Sequence, residues 1–472
     1  MPTECIQERF DFHPLNRRDV VACFDGGEIT SDAGALLLRE VEHKTGILRR
    51  LATCFTDHRR EDRVEHSVAE LVAQRVYGLA LGYEDVNDHD RLRHDPLFAL
   101  LAGKADPSGA TRRLATDCGK AIAGKSTLNR LELAPSDADA SARYKKIVMN
   151  VEKIDTLLVD LFLQAHTQAP ERIVLDLDAT DDPVHGNQEG RFFHGYYGQY
   201  CYLPLYIFAG EFLLCARLRP SNIDACAGSV EELTRIVSQI RKKWPHVPIL
   251  LRADSGFCRE SIMSWCEVNE VDYVFGLAKN ARLVKAIGKE LHEAQCEWEQ
   301  TGRAARRFRE LEYRTQKTWS RTRRVVAKAE HLEKGANPRF VVTSLEEKAE
   351  DARSLYEDLY CARGEMENRI KEQQLCLFAD RTSTSQMRSN QLRLYLSSFA
   401  YCLMQALRRL GLAGTEMAKA QCGTIRLKLL KVGAQIKITV RKVWLHLSAG
   451  HPSYDLFGRV YRNLAILPAL RC

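Results

Sequence analysis

Three carboxylates stand at places that suit chemistry on a phosphodiester. Asp178 lies at the end of the apolar run 173–180, Asp254 follows the apolar run 247–251, and Glu367 sits in the polar stretch that begins at Tyr360. Cleaving a phosphodiester needs an activated hydroxyl and a stabilised in-line leaving group. Two divalent cations about 3.5–4 Å apart can supply both, held by hard oxygen ligands from separate elements. Two acidic strand ends and one helical glutamate meet that demand.

The third acid comes with neighbours. Read as a helix, Tyr360, Arg363, Glu367, Lys371 and Gln374 recur at steps of three and four and form one polar stripe. For a lone helix, a solvated face with local Arg–Glu pairing explains such a stripe. The acidic strand ends upstream favour a site instead, with Tyr360 and Arg363 placed to hold phosphates of the scissile strand.

Positioning these groups requires a sheet. The segment 173–180 reads as a buried strand carrying Asp176 and Asp178 on one face, because the two are two residues apart. A hairpin follows at 200–208 and 212–218 around Gly210-Glu211, then a helix at 229–244 and a strand at 247–251. A helix carrying Ile262, Met263 and Trp265 precedes a further strand at 273–277. That order predicts an α/β fold, a mixed sheet with helices packed on it.

The region 298–345 has a different texture. Between Arg303 and Lys328 there are ten Lys or Arg against two acids, Glu310 and Glu312, with alternating runs that suggest strands. A basic β-rich segment holding Arg321, Arg323, Arg324 and Trp319 suits a DNA backbone with one stacked base. For Trp319 the alternative is an indole packed on the body of the protein. A second basic stretch runs from Arg408 to Lys442, with nine Lys or Arg against Glu416 alone, and is a candidate for further DNA contact.

The first 165 residues read as mostly helical after a short extended opening at 20–24, with helices expected from Ser31 or Asp32 and over 67–81. His58-Arg59-Arg60, Arg91, Arg93 and His94 are possible phosphate contacts. The run Gly119-Lys120-Ala121-Ile122-Ala123-Gly124-Lys125-Ser126-Thr127 matches the phosphate-loop pattern G-x-x-x-x-G-K-[ST]. That pattern binds nucleotide only between a buried strand and a helix, and here Arg112, Arg113 and Asp117 interrupt any apolar strand before it. Ser126 is therefore expected as the cap of a helix over 127–133.

At 472 residues the chain is long for one core. Its formal charge of +7 is mild, so the clusters rather than the total point to nucleic acid. Fifteen scattered cysteines without a C-x-x-C pair, and a Met1-Pro2-Thr3-Glu4 start without a signal sequence, predict reduced thiols in the cytoplasm. No window is apolar enough to span a membrane.

These motifs carry a resemblance. The Tyr-x-x-Arg-x-x-x-Glu signature from Tyr360, Leu175-Asp176-Leu177-Asp178-Ala179-Thr180-Asp181-Asp182-Pro183, and Arg252-Ala253-Asp254-Ser255-Gly256-Phe257 resemble those of bacterial DDE transposases of insertion-sequence family 1380. The resemblance implies an RNase H-like (retroviral-integrase-like) catalytic core with a β-rich insertion domain and a mostly helical N-terminal domain. The matching regions are an N-terminal DNA-binding region at 1–165, core at 166–295, basic insertion at 296–346, core with the glutamate helix at 347–412 and a basic C-terminal region at 413–472.

It also implies Asp178, Asp254 and Glu367 as catalytic metal ligands, with Asp176 the alternative first ligand. Magnesium, replaceable by manganese, is the implied cofactor. The implied partners are terminal inverted repeats and target DNA, bound by a homodimer without nucleotide or membrane, near the bacterial nucleoid. Tyr360 and Arg363 match positions that contact the transposon end. The family's lysine at position 374 is Gln374 here, which leaves Lys371, one turn nearer Glu367, to take that phosphate contact. The implied reaction is cut-and-paste transposition. A transposase-derived protein that binds DNA without cutting is the second reading, and a phosphate-loop ATPase the third.

Overall fold

The computed structural model describes residues 9–468, so the Met1-Pro2-Thr3-Glu4 start lies outside the described residues. The chain forms two compact units. The first holds residues up to Met149, Cys376–Phe378 and those from Phe399 onward; the second holds Asn150–Leu375 and Ala379–Ser398.

The second unit is built on a nine-stranded sheet. Its main strands are β1 (Ile173–Ala179), β2 (Leu205–Ala209), β3 (Phe212–Arg217), β4 (Ile249–Ala253), β5 (Asp272–Leu277), β6 (Ala305–Tyr313), β7 (Arg323–Leu332) and β8 (Arg339–Thr343). They lie in the order β3-β2-β1-β4-β5-β8-β7-β6, and the short Gly335–Ala336 strand pairs with β7. The contacts β1 with β4 and β4 with β5 are parallel, and the others antiparallel.

Parallel strands covered on both faces read as near-continuous apolar runs, which is why β1 and β4 show no polar alternation at their starts. On one face Leu175, Leu177, Ile249, Leu251, Tyr273 and Phe275 pack against α1 (Val151–Ala165), α2 (Ser229–Lys243) and α3 (Glu260–Val268). On the other, Leu250, Val274, Val326 and Val341 meet Leu355, Tyr356 and Leu359. Strand alternation puts Asp176, Asp178, Arg252 and Gly276 on this second face, and it fixes where the site can lie.

Three elements sit differently from a reading of the sequence along the chain. The basic strands at 305–343, expected as a β-rich insertion at 296–346, are continuous with the core sheet, because β8 pairs with β5. Helix α1, read from sequence with the N-terminal region, packs on this sheet. Gln199–Tyr202, expected to begin the hairpin, pairs instead with Asp182–Pro183 and Phe192–His194 in a small separate sheet.

In the first unit, Arg9–Leu15 and Arg18–Cys23 pair as an antiparallel hairpin. The helix Val68–Leu81 starts at a capping box formed by Ser67 and Glu70. The helix Lys125–Glu132 has Gly124 at its N-cap without a side-chain cap, so Ser126 is inside the helix rather than capping it. Ahead of the 119–124 loop stands only the short turn Ala115–Asp117, not a strand, and Lys125 Nζ lies 3.4 Å from Asp90 Oδ2. A phosphate-loop ATPase has no foundation in that context. The C-terminal strands Ala434–Ile438 and Val443–Leu447 pair with each other and, through the first, with Ile29–Thr30. Every described cysteine is a free thiol, and no described helix is long and apolar enough to cross a membrane.

Candidate active site

The register of the two parallel strands builds the site. Arg252 on β4 stands opposite Asp176 on β1, and Ala253 opposite Leu177. One step further along both strands, Asp254 and Asp178 emerge side by side at the carboxyl ends, where open α/β sheets present their ligand sites. A turn anchors Asp254, whose Oδ1 accepts a hydrogen bond from the Gly256 amide at 2.9 Å.

The covering helix brings the remaining groups. Asp351 caps its start, a wide turn runs over Leu355–Tyr360 and a tight one over Cys361–Arg363, and α4 (Gly364–Leu377) follows. The uniform helical stripe drawn from sequence is thus broken ahead of Gly364, and such local rewinding recurs at functional sites. Arg363 reaches both sides of the site: Nη2 donates to Glu367 Oε1 at 2.7 Å and Nη1 lies 3.5 Å from Asp178 Oδ2. Tyr360 lies against Gly276, so close that a Cβ there would come within 2.6 Å of the phenol oxygen.

Charge crowding is visible in Asp178. Burial, with Asp254 and Glu367 adding repulsion, pushes its carboxyl up to about 7 against the pull of Arg363 and the Ala179 amide. Burial likewise raises the Tyr360 phenol, with Arg363 opposing and Asp254 assisting.

Asp176, the alternative first ligand, is differently employed. Both of its oxygens accept from Arg252, at 2.7 and 2.8 Å, and Arg252 Nη1 donates to the Leu359 carbonyl at 2.7 Å. This buried pair ties β1 and β4 to the covering helix. Arg252 opens the Arg252–Phe257 motif, and its place two residues before Asp254 puts it on the same strand face, but its pairing with Asp176 is visible only in the strand register. Gly276 was overlooked in the sequence, and only the parallel pairing of β4 with β5 reveals that it flanks Asp254.

The polar end of α4 is only partly in the site. Gln374 Nε2 donates to the Asp181 carbonyl at 3.1 Å, so the residue in the expected lysine's place holds the loop after β1. Lys371 is exposed.

The proposed DNA contacts on the basic strands require correction. Trp319 is 5% exposed, edge-on to Tyr313 and packed into the core, so its face is closed to a base. Arg323 is buried between Glu260 and Glu267, at 2.8 Å from each, and Arg324 is held by Glu310 and the carbonyls of Leu345 and Glu350. Arg321 also pairs with Glu267 but stays exposed. The counted window held only two acids; the others come from neighbouring elements, including Glu290 and Glu297 for Arg309 and Arg307.

The C-terminal strands behave oppositely. Lys437, Arg441 and Lys442 are exposed and have no ion-pair partner among the described residues, and no acid occurs over 434–447. Thr439 and Lys442 close the turn through the Thr439 amide and hydroxyl to the Lys442 carbonyl, both 2.8 Å, leaving Val440 fully exposed at the tip.

The fold is thus an α/β sheet with two aspartates at adjacent parallel strand ends, facing a helical glutamate and an arginine. The chain belongs to the transposase DDE domain group 1 family, whose model matches residues 12–469, and it is a transposase by that membership. Among solved structures it is similar to the piggyBac transposase in a synaptic complex with hairpin DNA, with a TM-score of 0.41 and 11% identity over 85% of this chain and 80% of that one. No curated protein matches.

Proposed function

We propose that this transposase cuts and joins DNA at the terminal inverted repeats of its element, using Asp178, Asp254 and Glu367 with divalent cations on an RNase H-like core. The observation that carries the reading is the register that sets Asp254 beside Asp178 under Glu367 and Arg363. The strand order β3-β2-β1-β4-β5, antiparallel then parallel, agrees with an RNase H-like core.

The donor set is of the kind magnesium takes, hard carboxylate oxygens, and burial together with repulsion from Asp254 and Glu367 holds Asp178 toward its neutral form in spite of Arg363. As they stand, no three acidic, His or Cys side chains among the described residues form a closed metal-holding group. The Arg363 guanidinium lies between Asp178 and Glu367, 3.5 Å from the first and 2.7 Å from the second. Arg363 then has two roles in this reading. It neutralises the acids before DNA arrives, and it turns to a backbone phosphate when DNA enters, which leaves Glu367 open. Bound cations would polarise the phosphate and lower the pKa of the attacking hydroxyl. Tyr360 and Arg363 orient the strand, and Asp176 with Arg252 keeps the platform rigid. The exposed 434–447 strands add backbone contacts, and a homodimer would pair two ends.

The test is magnesium-dependent cleavage of a labelled duplex carrying the element's terminal repeat, with Asp254→Ala and Glu367→Ala beside the wild type. Cutting by the wild type alone supports the reading. End binding without cutting in either magnesium or manganese would replace it with a DNA-binding protein that does not cleave, the reading to which Gln374 in the expected lysine's place belongs.

A further inference from the structure

The phosphate-loop match at 119–127 is not part of the site described above, and the structure gives it another setting. Gly124, Ser126 and Thr127 line a pocket of about 630 Å³ wholly within the first unit, whose walls carry ten Lys or Arg against three acids, Glu65, Asp90 and Asp117. We propose that this pocket is a seat for the sugar–phosphate backbone of DNA, separate from the carboxylate site.

The charges on its wall divide into two groups. Arg59, Arg60, Arg63 and Arg112 are neutralised locally, by Asp57 at 2.7 Å, by Asp62 at 2.8 and 4.0 Å, and by Glu65 at 2.7 Å. Arg93, Arg113, Arg130, Arg143, Lys145 and Lys146 have no carboxylate within ion-pair distance among the described residues. Arg93 Nε is buried without a hydrogen-bond partner among the described residues. Its guanidinium presses on the loop so closely that a Cβ on Gly124 would lie 3.0 Å from Nη1. Arg130 and Arg143 both lie over the Tyr144 ring, at 4.8 and 5.2 Å, which keeps two cations together that would otherwise repel. Unpaired cations held in a concave wall attract a polyanion.

The local geometry selects between two phosphate sources. A nucleotide's phosphates are cradled by free backbone amides at a helix start, together with the loop lysine. Here the Lys125 amide donates to Asp90, the Thr127 and Leu128 amides both donate to the Gly124 carbonyl, and Lys125 Nζ faces Asp90. The loop is also immobilised, since the Gln74 amide group bonds the Ala123 carbonyl at 2.7 Å and the Ala123 amide at 3.1 Å. What remains is side-chain charge distributed over several elements, which fits a run of phosphodiesters better than a clustered triphosphate.

The inference rests on DNA being the substrate, so its test is run without divalent cation, where cleavage plays no part. Full-length protein is treated with an arginine-modifying reagent alone, with duplex DNA or with ATP, and modified sites are mapped by peptide mass spectrometry. Duplex titrations over a salt series are run alongside on the Arg130→Ala/Arg143→Ala/Lys145→Ala variant and on a charge-retaining Arg130→Lys/Arg143→Lys variant. We expect DNA, and not ATP, to shield Arg93, Arg113 and Arg130. Loss of three phosphate contacts lowers the salt slope of binding by roughly 2–3, while the lysine variant keeps it. Shielding by ATP alone, or an unchanged salt slope in the alanine variant that still binds duplex, overturns the seat while leaving the carboxylate site standing. Failure of wild type to bind any duplex overturns both.

Discussion

The phenol of Tyr360 fills the space that a side chain on Gly276 would need: a Cβ at position 276 would come 2.6 Å from that oxygen, and 3.0 Å from the Ser255 amide nitrogen. Gly276 flanks Asp254 across the β4–β5 pair, so one missing methyl group lets the covering helix settle over a strand end.

Gly276→Ala must move either Tyr360 or the backbone after Asp254. The expected result is a loss of end cleavage of tenfold or more, with a drop in Tm of a few degrees. Tyr360→Phe removes only the hydroxyl and should keep the Tm of the wild type. Equal cleavage by Gly276→Ala and wild type would show that Tyr360 need not sit there.

Asp178 gives the protein a pH signature. Its folded pKa of about 7 lies above the value near 3.9 expected in an unfolded chain, so between these values the native state binds the extra proton. Stability from this group is therefore present at low pH and declines as pH rises from about 4 to 7. Asp178→Asn should be more stable than wild type at pH 8, by on the order of 1 kcal/mol or more, and nearly equal to it at pH 4. Magnesium should raise the wild-type Tm more at pH 8 than at pH 6, because the ion competes with that proton. Thermal melts at these pH values decide both points.

Asp176 and Asp178 can be separated by the same melts. Asp176→Ala leaves Arg252 buried without its carboxylate, and breaking such a pair costs about 3–5 kcal/mol. The change at 176 should thus appear as lost stability. Asp178→Ala should abolish cleavage in a protein that still melts cooperatively; full activity of that variant would return the ligand role to Asp176.

Arg363→Ala should affect two measurements in opposite directions. Removing the guanidinium between Asp178 and Glu367 frees both acids, so calorimetry should find tighter magnesium binding without DNA. End binding should weaken by about 1–3 kcal/mol through the lost charged phosphate contact. Unchanged magnesium affinity would mean that the arginine does not mask the acids.

Gln374→Lys replaces an amide that holds the Asp181 carbonyl by a longer cation that can still donate to it. Cleavage should persist, and duplex affinity should rise several-fold at low salt and less at high salt. Gln374→Leu, which cannot donate at all, should cleave more slowly; wild-type rates from the leucine variant would remove any role for that hydrogen bond.

The legible part of this molecule was the part governed by strand alternation. Asp178 and Asp254 stood out because each closes an apolar run that only a doubly covered strand can explain, and the structure puts these strands in parallel register. The basic cluster at 303–328 misled because charge counted along a window ignores acids from other elements: Glu260 and Glu267 on α3 neutralise Arg321 and Arg323 from over fifty residues away. Trp319 belonged to the core for a related reason, since the strands flanking it join the main sheet. Gly276 carried no local signal at all; its importance exists only in the register of two strands and the reach of a tyrosine.

The pairing of β8 with β5 has a consequence for how this protein could be taken apart. A lobe attached by two crossover points could be excised or exchanged with that of a relative, but these basic strands are woven into the sheet that bears the carboxylates. Deleting 305–343 would expose the backbone edge of β5, an apolar strand adjoining β4, and invite pairing with other copies. Chimeras that alter DNA preference should therefore be joined outside this sheet, with the strands from β1 to β8 inherited as one piece.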